Sequence, residues 1–192
     1  MTDETDDEEQ WTADLRLIPR QLRDMALAAL SARDALGFVC RADHDYGLLL
    51  VARNAPLLQS LGIYEAALVQ AFMDCRTNHH RYPPSMLHSL FARANRGRLR
   101  AAGAPLPGHG PYTLYRGVAG RGRARRIYGV SWTTALSIAQ WFADRAAEWR
   151  LADPAVYEIT VPKRAVLAYL DERQEREMLV LVPRTVRAQR IT

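Results

Sequence analysis

The residue pattern changes character once, at Gly103 to Gly110 (GAPLPGHG), and this break constrains the fold more than any other stretch of the chain. Glycine and proline at that density interrupt regular structure. Before the break, apolar residues recur at helical spacing. Leu15, Ile18, Leu22, Met25, Leu27, Leu30 and Leu36 form one series, with Pro19 suited to the first turn of its main helix. Leu57, Leu58 and Leu61 predict a short helix closed by Gly62, and Tyr64 to Met73 a longer one. Met86, Leu87, Leu90, Phe91 and Ala94 mark one face of a further helix whose other face is basic, ended by Gly97 or Gly103; Tyr46 to Ala52 fits strand or helix. After the break come segments with the length and β-branched or aromatic content of strands: Tyr112 to Val118, Ile127 to Trp132, Ala155 to Val161, Val166 to Leu170 and Met178 to Val182. One helix interrupts them, Thr134 to Arg150, with Leu136, Ile138, Ala139, Phe142, Ala146 and Trp149 as its apolar stripe. Helices first and strands after predict the α+β class: a helical lobe over residues 11–105, a strand-rich core over 106–192, and a solvated acidic tail over 1–10.

With 192 residues and 48% hydrophobic content the chain is sized for one domain with an ordinary core. No stretch approaches the roughly 18 consecutive apolar residues of a membrane span, and the start is acidic where a secretory signal is basic and then apolar. A cytoplasmic location without membrane contact is expected. Cys40 and Cys75 are too few for a disulfide framework and are expected as buried thiols.

Charge is unevenly placed. Residues 1–10 hold six acids and no base, so the remaining residues carry 26 bases against 15 acids, a net of +11. Between Asp74 and Asp144 there is no acid at all, while Arg76, Arg81, Arg93, Arg96, Arg98, Arg100, Arg116, Arg121, Arg123, Arg125 and Arg126 all fall there. A genome rich in G and C explains why Lys163 is the only lysine, but not the missing acids. A field of one sign implies an anionic ligand or partner.

Three stretches of the strand-rich half carry chemistry together. Tyr115-Arg116-Gly117 sets a guanidinium beside a glycine at a strand end; Ser131-Trp132-Thr133 sets two hydroxyls just before a helix; Glu175-Arg176-Glu177 sets two carboxylates two residues apart at the start of an apolar strand. In an extended chain residues i and i+2 face the same side, so both carboxylates can face one substrate. One can stabilise developing positive charge at a sugar carbon while the other takes a proton. Cys75, His79 and His80 have no second ligand pair at a matching spacing, so no metal is expected. His88 reads as a boundary residue and His109 as a loop residue within reach of a cofactor; Phe142 reads as core, and Trp141 as core or stacking surface.

In order, spacing and local context, the three stretches resemble the Arg-Ser-Glu class of mono-ADP-ribosyltransferases, which includes cholera toxin, binary actin-modifying toxins and phage enzymes. The resemblance covers about Tyr112 to Pro183. It implies a mixed or antiparallel β-sandwich core with the helical lobe packed on it, covering one side of the cleft for NAD, the co-substrate, and no metal. It implies that Arg116 contacts the NAD phosphates and ribose, that Gly117 lets the nicotinamide amide approach the backbone, and that Ser131 orients the catalytic Glu177. Tyr115, Trp132 and Thr133 complete the implied cofactor contacts, although Trp132 stands where the family has Thr, and Thr133 where it has Ser. Tyr115 and Tyr128 either flank nicotinamide or pack. Glu177 would stabilise the oxocarbenium-like state as nicotinamide leaves, and Glu175 matches the upstream Glu of arginine-modifying members. A guanidinium, with a pKa above about 12, attacks only when a base removes its proton. The acceptor is therefore expected to be a protein arginine. The surplus of arginines leaves three other readings: transfer to RNA or DNA, hydrolysis of NAD, or a nucleic-acid-binding module without catalysis. The role implied is that of a phage host-modifying enzyme, an intracellular toxin, a defence component or a delivered effector.

Overall fold

The computed structural model describes residues 12–75, 81–148, 151–183 and 185–192. The acidic tail, Arg76, His79, His80, Trp149 and Arg150 lie outside them. The chain divides into two compact units, Met1–Arg81 and Tyr82–Thr192.

Among its described residues the first unit is helical: α1 (Arg23–Ser31), α2 (Ala35–Val39), α3 (Gly47–Arg53), α4 (Ala55–Ser60) and α5 (Tyr64–Asp74). The ambiguous apolar run at 46–52 is thus a helix. Pro19 precedes a short 3₁₀ turn, Arg20–Leu22, rather than α1 itself. Asp34 caps α2, its Oδ1 accepting from Gly37 N at 2.8 Å. Phe38, Leu48, Leu50, Leu58, Tyr64 and Leu68 have no exposed surface. Asn54, 2% exposed, pins the entering chain: its Nδ2 donates to Leu50 O and Asp14 O, and its Oδ1 accepts from Asp14 N. The helical series read from sequence is corrected in part, since Ala26, Ala29 and Leu30 are buried on α1 whereas Met25, Leu27 and Leu36 are exposed. Of the two cysteines, Cys75 is buried as expected, but Cys40, at the C-cap of α2, is exposed.

The second unit holds α6 (Pro84–Ala92), α7 (Arg96–Ala101), β1 (Tyr112–Val118), β2 (Ser131–Thr133), α8 (Leu136–Glu148), β3 (Ala155–Val161), β4 (Val166–Leu170), β5 (Glu177–Val180) and β6 (Gln189–Arg190). The division between units therefore falls ahead of α6, not in the Gly/Pro segment. Leu99 of α7 is fully buried, Arg100 donates to Val166 O at 2.6 Å, and Ala104 N donates to Tyr169 O, so α7 and the residues after it belong to the sheet. Helix α7 starts afresh at Asn95, whose Oδ1 accepts from Arg98 N at 3.0 Å.

The six strands form one antiparallel sheet in the order β4-β5-β2-β1-β3-β6. The class is α+β, as the order of elements predicts. The expected sandwich is replaced by a single sheet, and the sheet must curl. Strand β4 is four positions from β3, roughly 19 Å across a flat sheet, while the chain from Val161 to Val166 reaches at most roughly 17 Å and includes a 3₁₀ turn. Curling brings both sides of the sheet onto one core of Leu114, Val118, Trp132, Ile159, Val161, Val166, Met178 and Val180. On the other face α8 packs on β1, with Ala139, Ala143 and Val156 buried there against Tyr115. Strand β2 is shorter than the Ile127 to Trp132 segment read from sequence, and β6, too short and exposed for a hydrophobic signal, has none in the sequence.

Candidate functional site

The pairing register builds the site. Thr133 of β2 lies opposite Tyr115 of β1 on one side and Glu177 of β5 on the other. Paired residues share a face, so Tyr115, Thr133 and Glu177 form one row across three strands. Ser131, two residues from Thr133, has its side chain on the same face. Burial pushes the Glu177 carboxyl up to about 7; the nearby Ser131 hydroxyl opposes this, the Glu175 carboxylate adds to it, and the positive charges of Arg116 and Arg173 oppose it. Two of the sequence-read stretches are thereby brought onto one face, which strand pairing alone brings about.

Arg116 enters from the opposite face. Its cross-strand partner on β3 is Tyr157, a core residue. The guanidinium turns toward the segment leading into β2: Nε donates to Arg126 O at 3.2 Å and Nη1 to Ser131 O. Burial lowers its pKa to about 10, Glu177 acting against and Arg126 with that shift, so it stays charged at neutral pH. Through the Ser131 carbonyl, Arg116 holds the residue whose side chain shares a sheet face with Glu177. The room for this guanidinium exists because residue 129 has no side chain: a Cβ there would overlap the guanidinium carbon and Nη2 and stand 2.9 Å from Nη1. Sequence reading missed Gly129, although a glycine inside an apolar strand run signals a close approach. Gly129→Ala is expected to displace the guanidinium and weaken the Arg116–Ser131 link. Measured by urea unfolding, it should cost ~2 kcal/mol, about the value of a charged hydrogen bond in a buried place.

The remaining sequence-read residues divide between the site and the frame around it. Glu175 is close enough to raise the Glu177 pKa, but not by strand alternation. Gln174 and Arg176 have left-handed φ of 57° and 48°, so the chain between the carboxylates is a turn, not a strand. Thr133, 5% exposed, uses its hydroxyl to donate to Glu175 O at 2.8 Å and to accept from Ala135 N at 3.1 Å, fixing the Glu175 segment to the start of α8. Trp132 is 1% exposed in the core, its indole N–H on Gly129 O, so its side chain faces away from Glu177 and does not serve as the cofactor contact read from sequence. Gly117 faces α8: a Cβ would overlap Ala139 O and stand 2.6 Å from Ala143 N, which makes this glycine a docking requirement of the helix. Tyr115 is half-buried against α8, while Tyr128 is exposed and its hydroxyl accepts from Ala188 N. Trp141 is exposed, edge-on to Phe142 and under Arg145; Phe142 is only partly buried, and His88 and His109 are exposed.

In the arginine run between β1 and β2, Arg121 and Arg123 are exposed, while Arg125 and Arg126 bond within the fold. Arg125 donates to Gly120 O, Asp153 O, the Asp153 carboxylate and Tyr157 Oη, and Arg126 to Tyr82 O. Asp153 also takes Arg190 at 3.0 Å, tying β6 to the same point. Among the described residues no three His, Cys, Asp or Glu side chains converge as a metal would require, and no helix is long and apolar enough to cross a membrane. No family model matches the chain, nor does any curated protein or solved structure.

Proposed function

We propose that the protein is a mono-ADP-ribosyltransferase that cleaves NAD at the nicotinamide–ribose bond and passes ADP-ribose to a protein arginine. The observation that carries this reading is the placing of Ser131, Thr133 and Glu177 on one face of adjacent strands, with Arg116 anchored to the Ser131 carbonyl and Glu175 near enough to raise the Glu177 pKa. In this reading the ribosyl C–N bond breaks with its electron pair leaving on nicotinamide, and ionised Glu177 faces the cationic sugar carbon that results. The acceptor guanidinium forms the new N–C bond at that carbon and gives its proton to Glu175. Arg116 is a positioning residue, acting through Ser131; a guanidinium has five N–H donors, so contact with the dinucleotide phosphates remains open to it.

Arginine is preferred over nucleic acid as the acceptor because Glu175 stands close enough to Glu177 to serve as the base a guanidinium needs, and because Arg125, which the sequence sets beside the site, is ion-paired with Asp153. The test uses labelled NAD and cell lysate, followed by protease or nuclease. Label is expected to survive nuclease and to be lost with protease; the reverse outcome overturns the arginine reading. Glu175→Gln is expected to lower transfer ~10²- to 10⁴-fold, the usual worth of a general base, while NAD hydrolysis by the same variant stays within about threefold of the parent, since water needs less help from a base than a guanidinium does. Equal losses in both assays would refute the role given to Glu175.

A further inference from the structure

We infer that α7 and the β3–β4 turn form a surface for the phosphate backbone of a duplex nucleic acid, separate from the Glu177 site and independent of whether NAD is cleaved. Sequence draws attention to the Arg121 to Arg126 run, but there Arg125 is neutralised by Asp153. The arginines of α7 meet no carboxylate among the described residues. Arg96 donates to Arg164 O at 3.2 Å, and Arg100 to Val166 O at 2.6 Å and Lys163 O at 3.4 Å. These bonds draw the turn at Lys163–Ala165 against the helix and so add Lys163 and Arg164, which lie outside the acid-free window, to the arginines inside it. Lys163 Nζ donates to Gly108 O at 3.0 Å.

Arg96, Arg98, Arg100, Lys163 and Arg164 thus gather on one short helix and one turn, and none of them is in an ion pair among the described residues, unlike Arg16, Arg53, Arg81, Arg125 and Arg190. Their internal acceptors are all backbone carbonyls, which leave the positive charge uncompensated. Arg96, Arg98 and Arg164 are exposed. Arginine matches phosphate oxygens as a planar fork and gives up its hydration readily, so such a group fits a row of phosphates. Among the described residues, the exposed aromatics of this unit, Tyr128 and Trp141, are on the β1–β2 connection and on α8. Without an aromatic on α7 or the turn, the surface has nothing on which to stack unpaired bases, and it selects the duplex backbone over a single strand.

The experiment is fluorescence anisotropy of the full chain with a labelled 20-base-pair DNA duplex, the same sequence as RNA duplex, an oligo-dT strand and a poly-Glu peptide. Affinity for duplex is expected to fall roughly 50- to 150-fold between 50 and 200 mM salt, as three to four phosphate contacts require. Arg96→Glu with Arg164→Glu should weaken duplex binding at least ~10-fold while leaving the far-ultraviolet circular dichroism and the rate of NAD loss unchanged. Arg121→Glu with Arg123→Glu should change it less than ~3-fold. The inference is overturned if the Arg121/Arg123 variant loses more than the Arg96/Arg164 variant, if poly-Glu or oligo-dT binds as tightly as duplex, or if no duplex binds at 50 mM salt. The unchanged NAD assay separates this outcome from any failure of the transferase reading.

Discussion

Glu177→Gln is expected to lose NAD cleavage ~10²- to 10³-fold, in transfer and hydrolysis alike, and at the same time to make the protein more stable at neutral and alkaline pH. The loss follows from the role proposed for the carboxylate: an amide places no negative charge against the cationic sugar carbon, and removing one preorganised group from a developing charge has effects of that order. The gain follows from burial. In the folded protein Glu177 titrates near 7 rather than at the ordinary 4.5, so between those values the folded state binds more protons than the unfolded state. Stability therefore falls as pH rises from 4.5 to 7 and is lowest, on account of this group, above 7. The shift corresponds to ~3 kcal/mol, reduced by the polar surroundings that a buried Gln amide also needs. Urea unfolding at pH 5 and pH 8 should show the variant close to the parent at the lower pH and ~1–3 kcal/mol more stable at the higher one. For the parent, NAD cleavage should rise about tenfold per pH unit below 7 and level off above it, because the ionised form is the active one. A variant less stable than the parent at pH 8 would show that Glu177 is not the strained, desolvated carboxylate described here.

Gly117→Ala is expected to be the most damaging single methyl in the second unit. The added Cβ meets the backbone of α8, at Ala139 O and Ala143 N, and backbone does not swing aside as a side-chain tip does. To relieve the overlap α8 must lift from β1, uncovering Ala139, Ala143 and Val156. Overpacking of this kind costs ~1–3 kcal/mol where a core can adjust; here the lifted helix also loses its apolar burial, so a loss of ~3–5 kcal/mol is expected. Thermal unfolding by circular dichroism measures it. A melting temperature within 2–3 °C of the parent, a shift worth under ~1 kcal/mol for a domain of this size, would refute the role assigned to this glycine. The resemblance assigns Gly117 to nicotinamide, whereas the packing assigns it to a helix, and only the second role predicts loss of fold without any ligand.

Where local pattern decides structure, the sequence carried the outcome. Strands β1, β3 and β4 run over the residues whose apolar content marked them, and α8 over the stripe begun by Leu136, because hydrophobic periodicity acts through burial of one face. The α+β class follows from the order of those segments. The Arg, Ser and Glu stretches could be read as chemistry because few side chains offer a fork of donors, a hydroxyl or a carboxylate. Other features are set by long-range contact and have no local signature. The boundary between units is one: Leu99 and Arg100 join α7 to the sheet through Val166 O and the core, and no run of residues announces that bond. The faces within the site are another. From spacing alone, Arg116, Ser131, Trp132 and Glu177 could all turn to one ligand; pairing at Tyr115–Thr133–Glu177 turns Trp132 inward and leaves Arg116 to reach Ser131 from the core side.

The same division holds for the charges and for the break at 103–110. Sequence determined that eleven arginines lie in a stretch without acids, that strands follow helices, and that a hydroxyl and two carboxylates stand at strand ends. The tertiary structure decided which arginines meet carboxylates of the fold and which do not, and it set Ser131 on the same sheet face as Glu177. The physical reason is range. Periodicity, turns and caps act over a few residues, while desolvation of a carboxylate, the register of β2 between β1 and β5, and the space left by Gly117 and Gly129 depend on groups brought together only when the sheet closes on its core.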